Sequence, residues 1–134
     1  MAIKPVRQLV AEAREKISII PTSEAITLHG HPDVLFVDIR DIRELDREGR
    51  IPGAFHAPRG MLEFWVDPSS PYHKPALAMT QKKIFFCASA WRSALTVRTL
   101  QEMGMTNIYD LEGGFKAWRE AGGPVDAPAD WQDG

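Results

Sequence analysis

Two stretches constrain this chain more than any others: Val34-Leu35-Phe36-Val37 and Ile84-Phe85-Phe86 are uninterrupted apolar runs of strand length. A strand without polar alternation must be covered on both faces, and the covering elements are normally the helices of parallel crossovers. The segments around these runs supply such helices. Val6, Leu9, Val10, Ala13 and Ile17 recur at helical spacing behind Pro5 and predict a helix over 5–16. The β-branched run Ile17-Ser18-Ile19-Ile20 predicts a strand, and Thr22-Ser23-Glu24 opens a short helix reaching Leu28. After the 34–37 strand come a charged helix of one or two turns over 42–48 and a short strand at 54–57. Residues 58–82, punctuated by Pro58, Gly60, Pro68, Pro71 and Pro75, leave room only for a short helix near Met61–Trp65. A helix from Ser93 to Met103 stops at Gly104, a strand follows from Asn107 to Leu111, and a last helix spans Phe115 to Ala121. This alternation predicts an α/β fold: a central, parallel-rich, five-stranded sheet with helices on both faces.

With 134 residues, 44% of them hydrophobic, the chain can build one domain with a real core. A net charge of −2 with no basic cluster predicts neither a nucleic-acid nor an anionic-membrane partner. No stretch nears the roughly 18 apolar residues of a membrane span, and the N-terminus lacks the apolar core of a secretory signal, so a cytoplasmic protein is expected. The single cysteine excludes an intramolecular disulfide and suits a reducing compartment.

That cysteine, Cys87, follows directly on the second apolar strand and precedes a helix. In such a place the N–H groups of a tight loop and of a helix's first turn point at the sulfur, and Arg92 adds positive charge. Both favour the thiolate, the nucleophilic form. A buried, inert cysteine is the commoner fate of a lone thiol. Asp38 also falls at a predicted strand end, and ligands of parallel sheets bind at the carboxyl ends of strands.

Four ordered motifs then carry a family resemblance: Asp38-Ile39-Arg40; Gly49-Arg50-Ile51-Pro52-Gly53-Ala54; Cys87-Ala88-Ser89-Ala90-Trp91-Arg92-Ser93; and Leu111-Glu112-Gly113-Gly114-Phe115-Lys116-Ala117-Trp118. In order and spacing the chain resembles the rhodanese-like family. The resemblance implies a rhodanese-like domain over 18–125, with a helical lead-in over 1–17 and a loosely ordered tail over 126–134. It implies a sulfurtransferase in which Cys87 takes sulfane sulfur from a donor such as thiosulfate as a persulfide and passes it to a thiol, to cyanide or to an acceptor protein. Two positions depart from the family pattern. Ala90 stands where glycine is common, at a cost of about 1 kcal/mol if a positive φ is needed there. Arg50 stands where histidine is common.

In this reading residues Ala88, Ser89, Ala90, Trp91 and Arg92 wrap their N–H groups around the Cys87 sulfur and then around the outer sulfur. Arg92 supports the anion or braces the loop, with a salt bridge to Asp38 or Glu112 an equal alternative. Ser93 is an N-cap or a loop brace. Asp38 and Arg40 hold the loop from the neighbouring strand end. Arg59 is the expected donor contact, in a segment whose Leu62, Phe64 and Trp65 are either a specificity wall or core. His29 and His31 lack a third ligand, so no metal and no cofactor is expected. Two rivals stand beside the sulfurtransferase. One is a cysteine phosphatase or arsenate reductase, from which the four residues enclosed by Cys87 and Arg92 differ, related phosphatases having five. The other is a binding or regulatory module that has kept the fold without the activity. The oligomeric state is left open.

Overall fold

The computed structural model describes residues 2–128. Its five strands are β1 (Ile19–Ile20), β2 (Val34–Asp38), β3 (Phe55–His56), β4 (Lys82–Phe86) and β5 (Ile108–Leu111). They pair in the order β1-β5-β4-β2-β3, every pair parallel, so the expected parallel-rich sheet is wholly parallel. The α-helices among the described residues are α1 (Val6–Lys16), α2 (Thr22–Leu28), α3 (Ile42–Glu48), α4 (Leu62–Val66), α5 (Trp91–Glu102) and α6 (Gly114–Glu120).

The two apolar strands lie side by side at the centre, β2 against β4. Their residues alternate between two cores. Val37 and Phe85 join Leu62, Val66, Val97 and Leu100 on the α4 and α5 side. Phe36, Ile84 and Phe86 join Ala25, Phe115 and Trp118 on the α2 and α6 side. Burial on both faces is therefore what removed polar alternation from these strands.

Several boundaries differ from the sequence expectation for identifiable reasons. Strand β4 begins at Lys82 rather than Ile84, because the buried Lys83 turns its ammonium back to the carbonyls of Met79 and Gln81 and so fits an interior position. Helix α5 begins at Trp91, two residues earlier than Ser93, since Ala90 takes a left-handed conformation that turns the chain straight into it. The 58–82 segment holds, besides α4, two 3₁₀ turns, Arg59–Met61 and Pro75–Ala78. Helix α1 buries Val10 and Ala13 and packs along α5. At the other end Arg50 and Asp126 exchange backbone hydrogen bonds in an isolated antiparallel bridge; residues 129–134 of the expected tail lie outside the described residues. No helix among the described residues is long and apolar enough to cross a membrane.

Candidate active site

Cys87 leaves the carboxyl end of β4 on the same face as Phe85, toward α5, and is 1% exposed. The next residues make a tight ring. Ala88 and Ser89 bend, Ala90 sits at φ 72° and ψ 12°, and Trp91 starts α5. For alanine this left-handed geometry costs of the order of 1 kcal/mol, a strain typical of functional loops. Among the described residues the N–H groups of Ala88, Ser89 and Ala90 donate to no backbone carbonyl. Those at the head of α5 are free of intrahelical partners by the geometry of any helix start. The ring can therefore receive an anion at the sulfur.

The loop's carbonyls are held away from that centre. Phe115 N–H donates to the Cys87 carbonyl at 2.8 Å and Lys116 N–H to the Ala88 carbonyl at 3.1 Å. Such an approach requires glycine at Gly114, where a Cβ would stand 2.7 Å from both of those oxygens and φ is +65°. The Gly113-Gly114 pair thus seats α6 under the loop. With the first two carbonyls committed outward, the loop's donors are left for the sulfur.

Arg92 holds the other side. Its guanidinium meets the Glu44 carboxylate in a two-pronged pair, 2.8 and 2.9 Å, so the partner is on α3 and is neither Asp38 nor Glu112. The difference has a local cause: Asp41 and Glu44 form a capping box at the start of α3, which fixes the Glu44 carboxylate beside the loop. The Arg92 pair, partly offset by burial, holds that carboxyl at about 2. Arg92 in turn is pushed above its ordinary value by Glu44 first and also by the Cys87 sulfur, so one side chain both braces the loop and adds positive charge at the nucleophile.

Other expected site residues lie further out. Asp38 and Arg40 form a buried pair at 2.8 Å; Arg40 also donates to the Gly49 carbonyl and lies 4.3 Å from the centre of the Phe115 ring. Arg40 reaches the loop through Phe115, which donates to the Cys87 carbonyl, and among the described residues neither side chain hydrogen-bonds the loop itself. Arg59 pairs with Glu63 at 2.6 Å and lines a cleft of about 610 Å³ between α1 and α5, whose walls include no residue of the Cys87 loop. Leu62 is core, Trp65 packs edge-on against Phe55, and Phe64 is exposed against Tyr72. Trp91 is 43% exposed at the rim of the loop. The His29 ring contacts the Pro52 carbonyl, and His31 accepts from the Asp33 N–H.

Ser93 is the third residue of α5 rather than its N-cap, a place taken by Ala90. It is buried, with its hydroxyl 3.5 Å from the Cys87 sulfur. Behind it lies a residue the sequence reading missed, Asp110 on β5, 1% exposed. The available signal was a lone acid in the strand Ile108-Tyr109-Asp110-Leu111, at the same alternation as the core residue Ile108. Such a position faces inward.

The family model of the rhodanese-like domain matches residues 22–121. A sulfurtransferase from Allochromatium vinosum is 30% identical over 72% of this chain and 81% of its own length. A dual specificity phosphatase Cdc25 from Arabidopsis thaliana is 29% identical over 89% of this chain and 84% of its own. A solved structure from Rhodopseudomonas palustris, described as a protein of unknown function and possible tyrosine phosphatase, is 48% identical with a TM-score of 0.90, covering 94% of this chain and 97% of that one.

Proposed function

Since the chain belongs to the rhodanese-like family, we propose that it is a sulfurtransferase with Cys87 as the carrier. The Cys87 thiolate attacks the outer sulfur of a donor such as thiosulfate. A sulfur–sulfur bond forms to Cys87, the donor's own sulfur–sulfur bond breaks, and sulfite leaves with its electron pair. Three negative charges enter and three remain, one on the persulfide and two on sulfite, so no proton is required. Attack of cyanide or a thiolate on the outer sulfur returns the Cys87 thiolate. The loop serves both steps by holding donors where the negative charge sits before and after transfer.

What carries this reading is the ring itself: a buried cysteine under N–H groups that donate to no backbone carbonyl among the described residues, closed by Arg92 after four residues. Space for one sulfur atom suits it better than a tetrahedral oxyanion. A second reading, phosphate-ester hydrolysis, draws on the two phosphatase-named relatives. Mass measurement after incubation with thiosulfate separates the two. The expected result is a gain of one sulfur on the wild type, none on Cys87→Ser, and negligible turnover of an aryl phosphate. Phosphate release without a sulfur adduct would reassign the enzyme. A reducing cytoplasm, keeping the lone thiol free, is the setting this chemistry needs.

A further inference from the structure

Asp110 is the buried acid for which the transfer chemistry above has no use. It pairs in register with Phe85, two residues before Cys87, and lies on the same face of the sheet. Its Oδ1 has no hydrogen-bond partner among the described residues. The Ser93 hydroxyl faces the Cys87 sulfur at 3.5 Å and interacts electrostatically with the Asp110 carboxyl. Three groups from β4, α5 and β5 therefore form one buried line, Cys87, Ser93, Asp110. The charged group that faces Asp110 from α1 is Arg14, whose guanidinium donates to the Ala90 carbonyl at 3.3 Å; among the described residues Asp110 forms no ion pair. From β1 the register partner is the apolar Ile19, and β4 presents Phe85.

On the reading that Cys87 is the reacting group, we propose that Cys87 and Asp110 share a single proton through the Ser93 hydroxyl, so that Asp110 is a positioning residue, neutral in the thiolate form for as long as one proton remains on the pair. The step balances within the line. The Cys87 S–H bond breaks as its proton joins Ser93 Oγ, and the proton Ser93 carried passes to the Asp110 carboxylate. One negative charge is present before and after; it moves from a dry pocket to a sulfur ringed by N–H donors. Neutral Asp110 then donates to Ser93, which aims the Ser93 hydroxyl at the thiolate. Burial supports this direction, because it pushes the Asp110 carboxyl up to about 7 despite the opposing effects of the Ser93 hydroxyl and the Arg14 charge. A carboxyl there can be neutral at physiological pH and donate, as acids in apolar sites do.

Two groups that share a proton titrate as a pair, and their coupling is reciprocal. The test follows both groups and does not involve sulfur transfer. Thiolate formation is read from the rate of alkylation by iodoacetamide against pH, and Asp110 from its ¹³Cγ chemical shift. In the wild type the alkylation curve is expected to spread over two steps. In Asp110→Asn it becomes a one-proton curve with its midpoint about one pH unit or more toward acid, a tenfold change in proton affinity. Cys87→Ser should move the Asp110 titration toward acid by the same amount, and Ser93→Ala should shrink both shifts. An alkylation midpoint unmoved by Asp110→Asn, or an Asp110 titration unmoved by Cys87→Ser, overturns the shared proton. Shifts undiminished in Ser93→Ala overturn the bridge. Should Asp110→Asn fail to fold, the Cys87→Ser measurement decides alone.

Discussion

The Cys87 loop is held from two sides by contacts of opposite character. On the α6 side the Cys87 and Ala88 carbonyls meet backbone N–H groups, with no charge involved and with glycine at Gly114 as the condition of approach. On the α3 side one exposed arginine meets one partly covered glutamate in a two-pronged ion pair. The first clamp is steric and insensitive to pH and salt. The second is electrostatic and sensitive to both. Together they divide the work: the backbone clamp shapes the ring, and the ion pair tunes its charge.

The largest effect should come from the steric clamp. Gly114→Ala puts a Cβ 2.7 Å from two backbone oxygens at a positive φ, so strain of about 1–3 kcal/mol is expected before the clash is counted. Thermal unfolding should show the loss, and sulfur loading on Cys87 should fall with it as the loop is forced off α6. An unchanged melting temperature and unchanged loading would mean that α6 does not shape the ring.

Breaking the ion pair should separate stability from reactivity. Because Arg92 is 44% exposed, Arg92→Ala is expected to cost about 1 kcal/mol or less in stability while slowing Cys87 alkylation markedly at neutral pH. The same pair carries a pH signature. Glu44 is lowered from 4.5 to about 2 in the folded chain, so its contribution is present above about 4.5 and is lost as pH falls from there toward 2. The stability gap between wild type and Glu44→Gln should close over that window. A gap that persists below pH 2 would assign it to the α3 capping box instead of to Arg92.

The smallest effect is expected at Ala90, between the two clamps. Ala90→Gly relieves the left-handed strain and should raise stability by up to about 1 kcal/mol, measured by denaturant titration. Destabilisation instead would show that the buried methyl group packs well enough to outweigh the strain. The sequence raised a positive φ at this position only as a condition on the cost of alanine, and the structure meets that condition at φ 72°.

Much of the architecture was legible in the residues themselves. Strands β2 and β4, the helical spacing of α1 and the place of Cys87 at a strand end all follow from short-range patterns, which depend on neighbours a few positions apart. Partners were another matter. Nothing local in Arg92 says whether its guanidinium will meet Asp38, Glu112 or Glu44; the choice was made when α3, fixed by its own capping box, came to rest against the loop 48 residues later in the chain. Arg59 is the opposite case: its partner Glu63 stands four residues on, so that pair is short-range and could have been read from the sequence. Asp110 looks like an ordinary polar interruption of an edge-like strand, and only the pairing of β5 with both β1 and β4 turns it inward beneath Ser93 and the sulfur. Periodicity determines which residues are buried and in what element, because it is a property of one segment. Which buried or charged groups face each other is decided by the packing of several segments, and the chemistry at Cys87 depends on that packing.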